Sequence, residues 1–179
     1  MVIDVLLVAL LVGAFLLGIF RGALRQLVAL GAWLVTFLLS AHVRPQIADW
    51  LEGQFATLSR PYVEMVVFVI AFVLLFGLAL AIIQIGGRDI TLISRPVVDD
   101  LLGGAVMLVV AILAVSSFVI ALDSFYATQP IGEVGLSALD ELNSSFQRSA
   151  IIGTLRDSLV PGLHALLDPL LPADVRAAG

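Results

Sequence analysis

The sequence of 179 residues contains no cysteine. This absence excludes disulfide frameworks, thiolate catalysis and metal sites built on cysteine. Lysine is absent as well, so all nine basic residues are arginine, and the net charge is -5 at pH 7. The negative net charge argues against a nucleic-acid partner, because neutralising phosphates needs a basic face.

Charge of either sign is scarce along the whole chain. Charged residues make up 13% of the sequence and hydrophobic residues 61%, and the mean hydropathy is +1.14. Soluble domains carry about 25% charged residues to cover their surface. The excess apolar side chains must face lipid, so the composition predicts an integral membrane protein.

Long apolar runs dominate the first two thirds of the sequence. A helix that crosses a bilayer needs about 20 mostly apolar residues. The first run is not a cleaved signal peptide, because Asp4 precedes it and Arg21 and Arg25 follow it, which reverses the charge order of a signal. We predict an all-α membrane protein whose four transmembrane helices form two antiparallel hairpins, with spans at about 3–20, 23–41, 63–85 and 101–122.

The loop between the first two spans is very short. A turn of this length predicts that helices one and two lie side by side as an antiparallel hairpin. Small residues at four-residue spacing (Ala14, Gly18 and Gly22) favour close helix packing in lipid, where the hydrophobic effect between helices is absent.

The arginines indicate an orientation. The two short loops hold four of them, and the longer loop between spans two and three holds two. Since cytoplasmic loops carry the excess of basic residues, both short loops are expected in the cytoplasm and both termini outside. The arginines of the short loops are Arg21, Arg25, Arg88 and Arg95; those of the longer loop are Arg44 and Arg60.

The character of the chain changes after residue 123. We therefore divide it into a four-helix transmembrane domain at 1–123 and an amphipathic C-terminal tail at 124–179. The spacing of apolar residues in the tail predicts short amphipathic helices at about 135–149 and 151–171, and Pro161-Gly162 interrupts the second. It lacks the basic face of helices that bind anionic lipid, so docking on the bundle or on a partner is expected.

No catalytic constellation stands out in the sequence. The H-E-x-x-H, P-loop and G-x-S-x-G patterns are missing, and neither His42 nor His164 has a second ligand at metal spacing. The sequence therefore predicts no enzyme activity, no metal and no cofactor. Asp99 and Asp100 begin helix four, where a carboxylate caps the helix and interacts favourably with its dipole, which is worth about 0.3–1 kcal/mol for each residue.

The same two carboxylates admit other interpretations. One is an ion or proton site, and another is a salt bridge to Arg21 or Arg25, with Arg25 and Asp100 as a possible charge pair. No carboxylate lies near the middle of a span, which argues against a proton relay at depth.

Two stretches of the sequence resemble the colicin V production proteins (the CvpA family). The first runs from Phe20 to Leu27 and on to Trp33, and the second runs from Arg95 to Gly104. The tail stretch at 146–149, with the later Leu-Pro at 171–172, is also similar to that family. The chain departs from the family pattern at Asp100, where an arginine is usual, and at 110–111, where helix four often carries Arg-Gly.

The resemblance implies a small four-helix protein of the bacterial inner membrane, linked with colicin V production or export and with envelope and biofilm phenotypes. Arg21, Gly22, Asp99 and Gly103 correspond to signature positions of the family. A related four-helix module anchors periplasmic serine proteases that confer acid resistance, which requires an outside C-terminus and agrees with the arginine count.

Two functions remain open from the sequence. The first is a non-catalytic accessory or scaffold protein that binds a protein partner of the envelope through its bundle or tail. The alternative is a small transporter or channel, as a homo-oligomer, with a water-lined path along Arg25, Gln84, Asp99 and Asp100. In both cases membrane lipid is a partner.

Overall fold

The chain folds into helices joined by short connections. The computed structural model describes residues 2–52, 59–86, 96–128, 137–167 and Pro169. Within these ranges there is no strand, which confirms the predicted all-α class. The helices are α1 (Val2–Ile19), α2 (Ala23–Glu52), α3 (Arg60–Gly86), α4 (Pro96–Thr128), α5 (Ser137–Gln147), α6 (Ala150–Ser158) and α7 (Val160–Leu167).

Helices α1 to α4 are each long and apolar enough to cross a membrane. Their most apolar windows have mean hydropathies between 1.7 and 3.3. Only 17% of the α1 window and 22% of the α3 window are buried inside the protein, so most of their apolar surface is left for lipid. The chain is a multi-pass membrane protein.

The helices extend beyond the predicted spans at their polar ends. The sequence predicts that the second span ends near residue 41, but α2 continues through Pro45 to Glu52. Likewise, α4 begins at Pro96 and ends at Thr128 instead of covering 101–122. Hydropathy marks only the part of a helix that suits hydrocarbon, whereas backbone hydrogen bonding continues into the polar turns.

Helix α4 is the centre of the bundle. Helix α1 lies along α4 in the antiparallel direction, since Gly18 contacts Gly103 near one end and Leu7 clusters with Val119 near the other. Helix α2 lies against α3 and α4, and it touches α1 only slightly. The short turn after α1 therefore sets the direction of the chain, but the small residues of α1 pack on α4 instead of on α2.

An aromatic cluster joins α2 and α3 in the middle of the bundle. The ring of Phe37 meets that of Phe68 edge to face, with centroids 5.6 Å apart, and Phe68 stacks on Phe72 at 6.2 Å. Trp33 belongs to the same cluster and donates its indole N–H to Ser117 Oγ on α4 at 3.0 Å. This bond satisfies a buried donor that lipid could not.

The tail helices pack on the end of the bundle where α1 begins and α4 ends. Ile152 of α6 is fully buried in a cluster with Leu7 and Leu122, while Leu163 and Leu167 of α7 join the aromatic cluster. The break between α6 and α7 falls at Leu159, just before Pro161, close to the predicted interruption. The division of the chain into domains at residue 123 stays a prediction.

Polar contacts hold the same tail helices. Ser149 accepts a hydrogen bond from Ile152 N at 3.2 Å, which caps α6, and donates its hydroxyl to Asp4 Oδ1 at 2.7 Å. Arg156 binds Asp123 at the end of α4 through two nitrogens, at 2.8 and 2.5 Å. The N-terminal turn of α1 and the last turns of α4 are thereby both joined to α6.

A pair of adjacent leucines tests how the tail is docked. Leu167 is 1% exposed and Leu166 is 67% exposed. We expect Leu167→Ala to lower the free energy of unfolding by about 2–5 kcal/mol, because it leaves a cavity, and to raise amide hydrogen exchange throughout α7. The control Leu166→Ala is expected to change stability by no more than about 0.5 kcal/mol. Equal exchange rates in the two variants would contradict the docked tail.

Candidate functional site

The turn between α1 and α2 is built around Gly22. Its φ of +74° lies in the left-handed region, which glycine adopts without strain and other residues rarely do. A Cβ added at Gly22 would also stand 2.7 Å from Oδ2 of Asp99, which is too close. The backbone conformation therefore favours glycine at this position, and an added Cβ would also displace the Asp99 carboxylate.

Helices α1 and α4 cross next to this turn with their backbones in contact. A Cβ at Gly103 would stand 2.6 Å from the carbonyl oxygen of Gly18 and 2.8 Å from the carbonyl carbon of Gly22. A Cβ at Gly18 would likewise clash with the Gly103 oxygen and stand 2.8 Å from Gly104 Cα. Side chains larger than hydrogen at Gly18 or Gly103 would therefore force the two helices apart. We call Gly18, Gly22, Gly103 and Gly104 together the glycine crossing.

Asp99 is the charged residue at the glycine crossing, and it is only 2% exposed. It lies inside the first turn of α4 and is not its cap, because the helix begins at Pro96. The sequence-based N-cap interpretation is therefore corrected, but the favourable interaction with the helix dipole remains. Within the described part of the chain, Asp99 Oδ1 has no hydrogen-bond partner.

Three of the four family-signature residues predicted from the sequence meet here: Gly22, Asp99 and Gly103. The fourth, Arg21, directly precedes Gly22 and lines a small pocket together with Arg25 and Gln26. Asp100 is half-buried beside Asp99, and its pairing with Arg25 stays a prediction. Arg88 and Arg95, and the side chain of Gln84, lie outside the described residues.

A wide apolar groove separates α1 from α3, with α4 as its floor. Its volume is about 710 Å³. The wall on α1 runs from Leu7 to Leu17, and the wall on α3 runs from Phe68 to Gly77. Sequence reasoning missed this α1–α3 groove, because nothing in the order of apolar residues shows that α1 packs on α4 and stays away from α3.

A second cavity, of about 130 Å³, lies between α2, α3 and α4 at the tail end of the bundle. Arg44 and Glu64 line it, and Arg44 is only 9% exposed. The sequence predicted Arg44 in the loop between spans two and three, whereas the residue lies inside α2. The spacing of buried positions on α2 (Trp33, Phe37, Ala41, Arg44 and Ala48) continues the helical pattern past the apolar run and could have located this arginine.

The model of the colicin V production protein family matches residues 3–159, from the first turn of α1 to the break after α6. The chain belongs to the colicin V production protein family. The resemblance predicted from the Arg-Gly turn and the stretch at 95–104 is thereby confirmed. No curated protein and no solved structure gives a significant match.

The described residues contain no candidate metal-binding site. No group of three or more histidine or acidic residues there is arranged to hold a metal ion. His42 Nδ1 lies 2.8 Å from the Leu38 carbonyl one turn earlier, and His164 is at the other end of the sequence in α7. In the described part of the chain, the candidate sites are the glycine crossing, the α1–α3 groove and the cavity at Arg44.

The glycine crossing predicts that replacing a glycine inside it lowers stability far more than replacing a glycine outside it. Gly103→Ala places a methyl group against backbone atoms of α1, so we expect a loss of about 1–3 kcal/mol in the free energy of unfolding. Gly13→Ala is the control, because no atom lies within 4 Å of its added Cβ. Because alanine favours the helix more than glycine does, Gly13→Ala should leave the free energy of unfolding unchanged or raise it slightly. Thermal unfolding in detergent compares them, and equal midpoints would refute the tight crossing.

Proposed function

We propose that this protein is a non-catalytic accessory protein of the bacterial inner membrane that receives a transmembrane helix of a partner protein in the α1–α3 groove. The observation that carries the proposal is the groove itself, with its volume of about 710 Å³ between two membrane-spanning helices. Family membership supports the membrane setting and the link with colicin V production.

The dimensions of the groove suit a helix. Each wall extends over about ten residues, which corresponds to about 15 Å or nearly three helical turns. The walls come from two helices that stand apart, so the groove opens sideways into the membrane. A partner helix could enter along the membrane plane without the bundle coming apart.

The glycines of the walls favour a helix over lipid chains. Gly13 on α1 and Gly77 on α3 both line the groove, and no atom lies within 4 Å of the Cβ that either could carry. Glycine costs about 0.8–1 kcal/mol relative to alanine in a helix, and lipid contact alone gives no reason to accept that cost. Small residues allow the close backbone approach on which helix association in membranes depends.

The tail is a weaker candidate for the partner surface. Its buried apolar residues, including Ile152, Leu163 and Leu167, are already covered by the bundle. A partner that used them would first have to displace the tail. The bundle surface at the groove needs no such rearrangement, so of the two surfaces considered from the sequence we favour the bundle.

The remaining parts of the proposal rest on the sequence. The motif search found no nucleophile–base set, which supports a non-catalytic role. The excess of arginine in the two short loops supports an orientation with both termini outside. Helices α5 to α7 would then lie on the periplasmic face of the bundle.

The transporter alternative requires a path through the protein. The pocket at Arg25 and the cavity at Arg44 lie at opposite ends of α2, and the aromatic cluster of Trp33, Phe37 and Phe72 fills the bundle between them. The buried hydroxyls of Ser116 and Ser117 donate back to carbonyls of their own helix. Solute flux into reconstituted vesicles would nevertheless favour this alternative.

Photo-crosslinking tests the groove. A photoreactive residue at Val73, which lines the groove, is expected to form a protein adduct of discrete mass in native membranes, because the partner helix lies against it. The control is Leu74, which is similarly exposed but does not line the groove. Mass spectrometry identifies the attached chain.

The adduct must also respond to filling of the groove. We expect Gly77→Leu to abolish the adduct at Val73 without lowering the unfolding temperature, since the added side chain meets open space. Lipid adducts alone at Val73, or an adduct that persists in the filled variant, would contradict the proposal. An adduct to a second copy of this chain would replace the partner by a homo-oligomer.

A further inference from the structure

The cavity at the tail end of the bundle combines charge with an apolar floor. Arg44 from α2 and Glu64 from α3 line its polar side together with Ser124 from α4. The apolar side is built from Phe37, Met65, Phe68, Ile120 and Phe125. A cavity that offers charged groups on one side and aromatic rings on the other suits a small molecule with a polar head and an apolar body.

The two charged residues that line the cavity carry opposite charges, and Glu64 also binds Arg60 outside it. Arg60 donates from Nε to Glu64 Oε1 at 3.0 Å and from Nη2 to Asp49 Oδ1 at 2.7 Å. Arg44 Nη2 lies 3.4 Å from Glu64 Oε2. Arg60 and Asp49 are more than half exposed and do not line the cavity, whereas the side chains of Arg44 and Glu64 are 11% and 20% exposed. A ligand with a single charge would meet a like charge on either Arg44 or Glu64 in this poorly solvated place, where an unmatched charge is costly.

The Arg44–Glu64 contact is loose. Charge-assisted hydrogen bonds between nitrogen and oxygen are usually about 2.7–2.9 Å long, whereas this pair is separated by 3.4 Å. A guanidinium carries five N–H donors and a carboxylate about four acceptor positions, so both groups can bind additional partners. Arg44 can hold an anionic group and Glu64 an ammonium while Arg60 keeps its bonds.

We propose that this cavity binds a zwitterion with an apolar body, whose anionic group is held by Arg44, whose ammonium is held by Glu64 and whose apolar part rests on the aromatic floor. This chemistry occurs in free α-amino acids with aliphatic side chains and in the phosphoethanolamine headgroup of a lipid. The cavity lies nearer the end of α4 than the groove, although Phe68 lines both, and the inference does not depend on a helix binding in the groove.

Three ligands with nearly the same apolar body test the charge selection. Leucine is the zwitterion, 4-methylpentanoate lacks the ammonium and isoamylamine lacks the carboxylate. With the full chain in nanodiscs of phosphatidylglycerol, we expect leucine to bind and each singly charged analogue to bind at least about tenfold more weakly, which corresponds to about 1.4 kcal/mol. Equal binding of leucine and 4-methylpentanoate would overturn the role of Glu64.

A second arm examines the lipid source. In nanodiscs that mix phosphatidylethanolamine with phosphatidylglycerol, native mass spectrometry reports which lipid stays on the protein. Selective retention of phosphatidylethanolamine, lost in Arg44→Gln, would assign the site to a headgroup, and leucine binding without such retention would assign it to a free amino acid. Neither leucine binding nor selective retention would overturn the proposal.

Variants separate binding from folding. Arg44→Gln should lower leucine affinity or lipid retention at least about tenfold, but it can also disturb the buried charges. Ala121→Phe keeps all four charges and fills the cavity, so it should abolish binding as well. Arg148→Gln, on the exposed surface of the tail, is the control and should bind as the unaltered protein does. Undiminished binding in Ala121→Phe would place the ligand elsewhere and refute the proposal.

Discussion

The contact of backbone with backbone at the glycine crossing is the constraint from which the arrangement of the bundle follows. Gly18 and Gly103 bring α1 and α4 so close that no side chain fits between them, and Gly22 turns the chain at the same place. Because helices in lipid gain little from apolar burial as such, a close approach of this kind is the main way for them to associate. It ties α1 to α4 and leaves α2 free to pack on α3.

The α1–α3 groove is a consequence of that choice of neighbour. Had α1 packed on its sequence neighbour α2, α4 would have lain elsewhere, and the wall formed by Leu7 to Leu17 would not face α3. The tail adds to the asymmetry, since α6 joins the start of α1 to the end of α4 through Ser149 and Arg156. The side of the bundle between α1 and α3 is therefore open to the membrane, while the tail covers the end where α1 begins and α4 ends.

Much of this architecture can be predicted from local sequence. Apolar runs locate α1 to α4 because lipid imposes the same length requirement on every span, and Pro161 marks the break in the tail because it cannot continue a helix. The signature residues Gly22, Asp99 and Gly103 were also found, although their contact was not. Helix partners, the groove and the burial of Arg44 depend on contacts between distant residues, which local patterns do not encode.

The distribution of polar groups follows from the same physics. In the middle of the bundle, polar side chains make bonds that need no water, as Trp33 does with Ser117 and Thr36 with the carbonyl of Ala32. Ionisable side chains gather instead at the ends of the helices, with Asp99 at the turn and Arg44 with Glu64 at the other end. A buried charge has to be matched locally, so a pair of opposite charges such as Arg44 and Glu64 selects ligands by their charge pattern as well as by their shape.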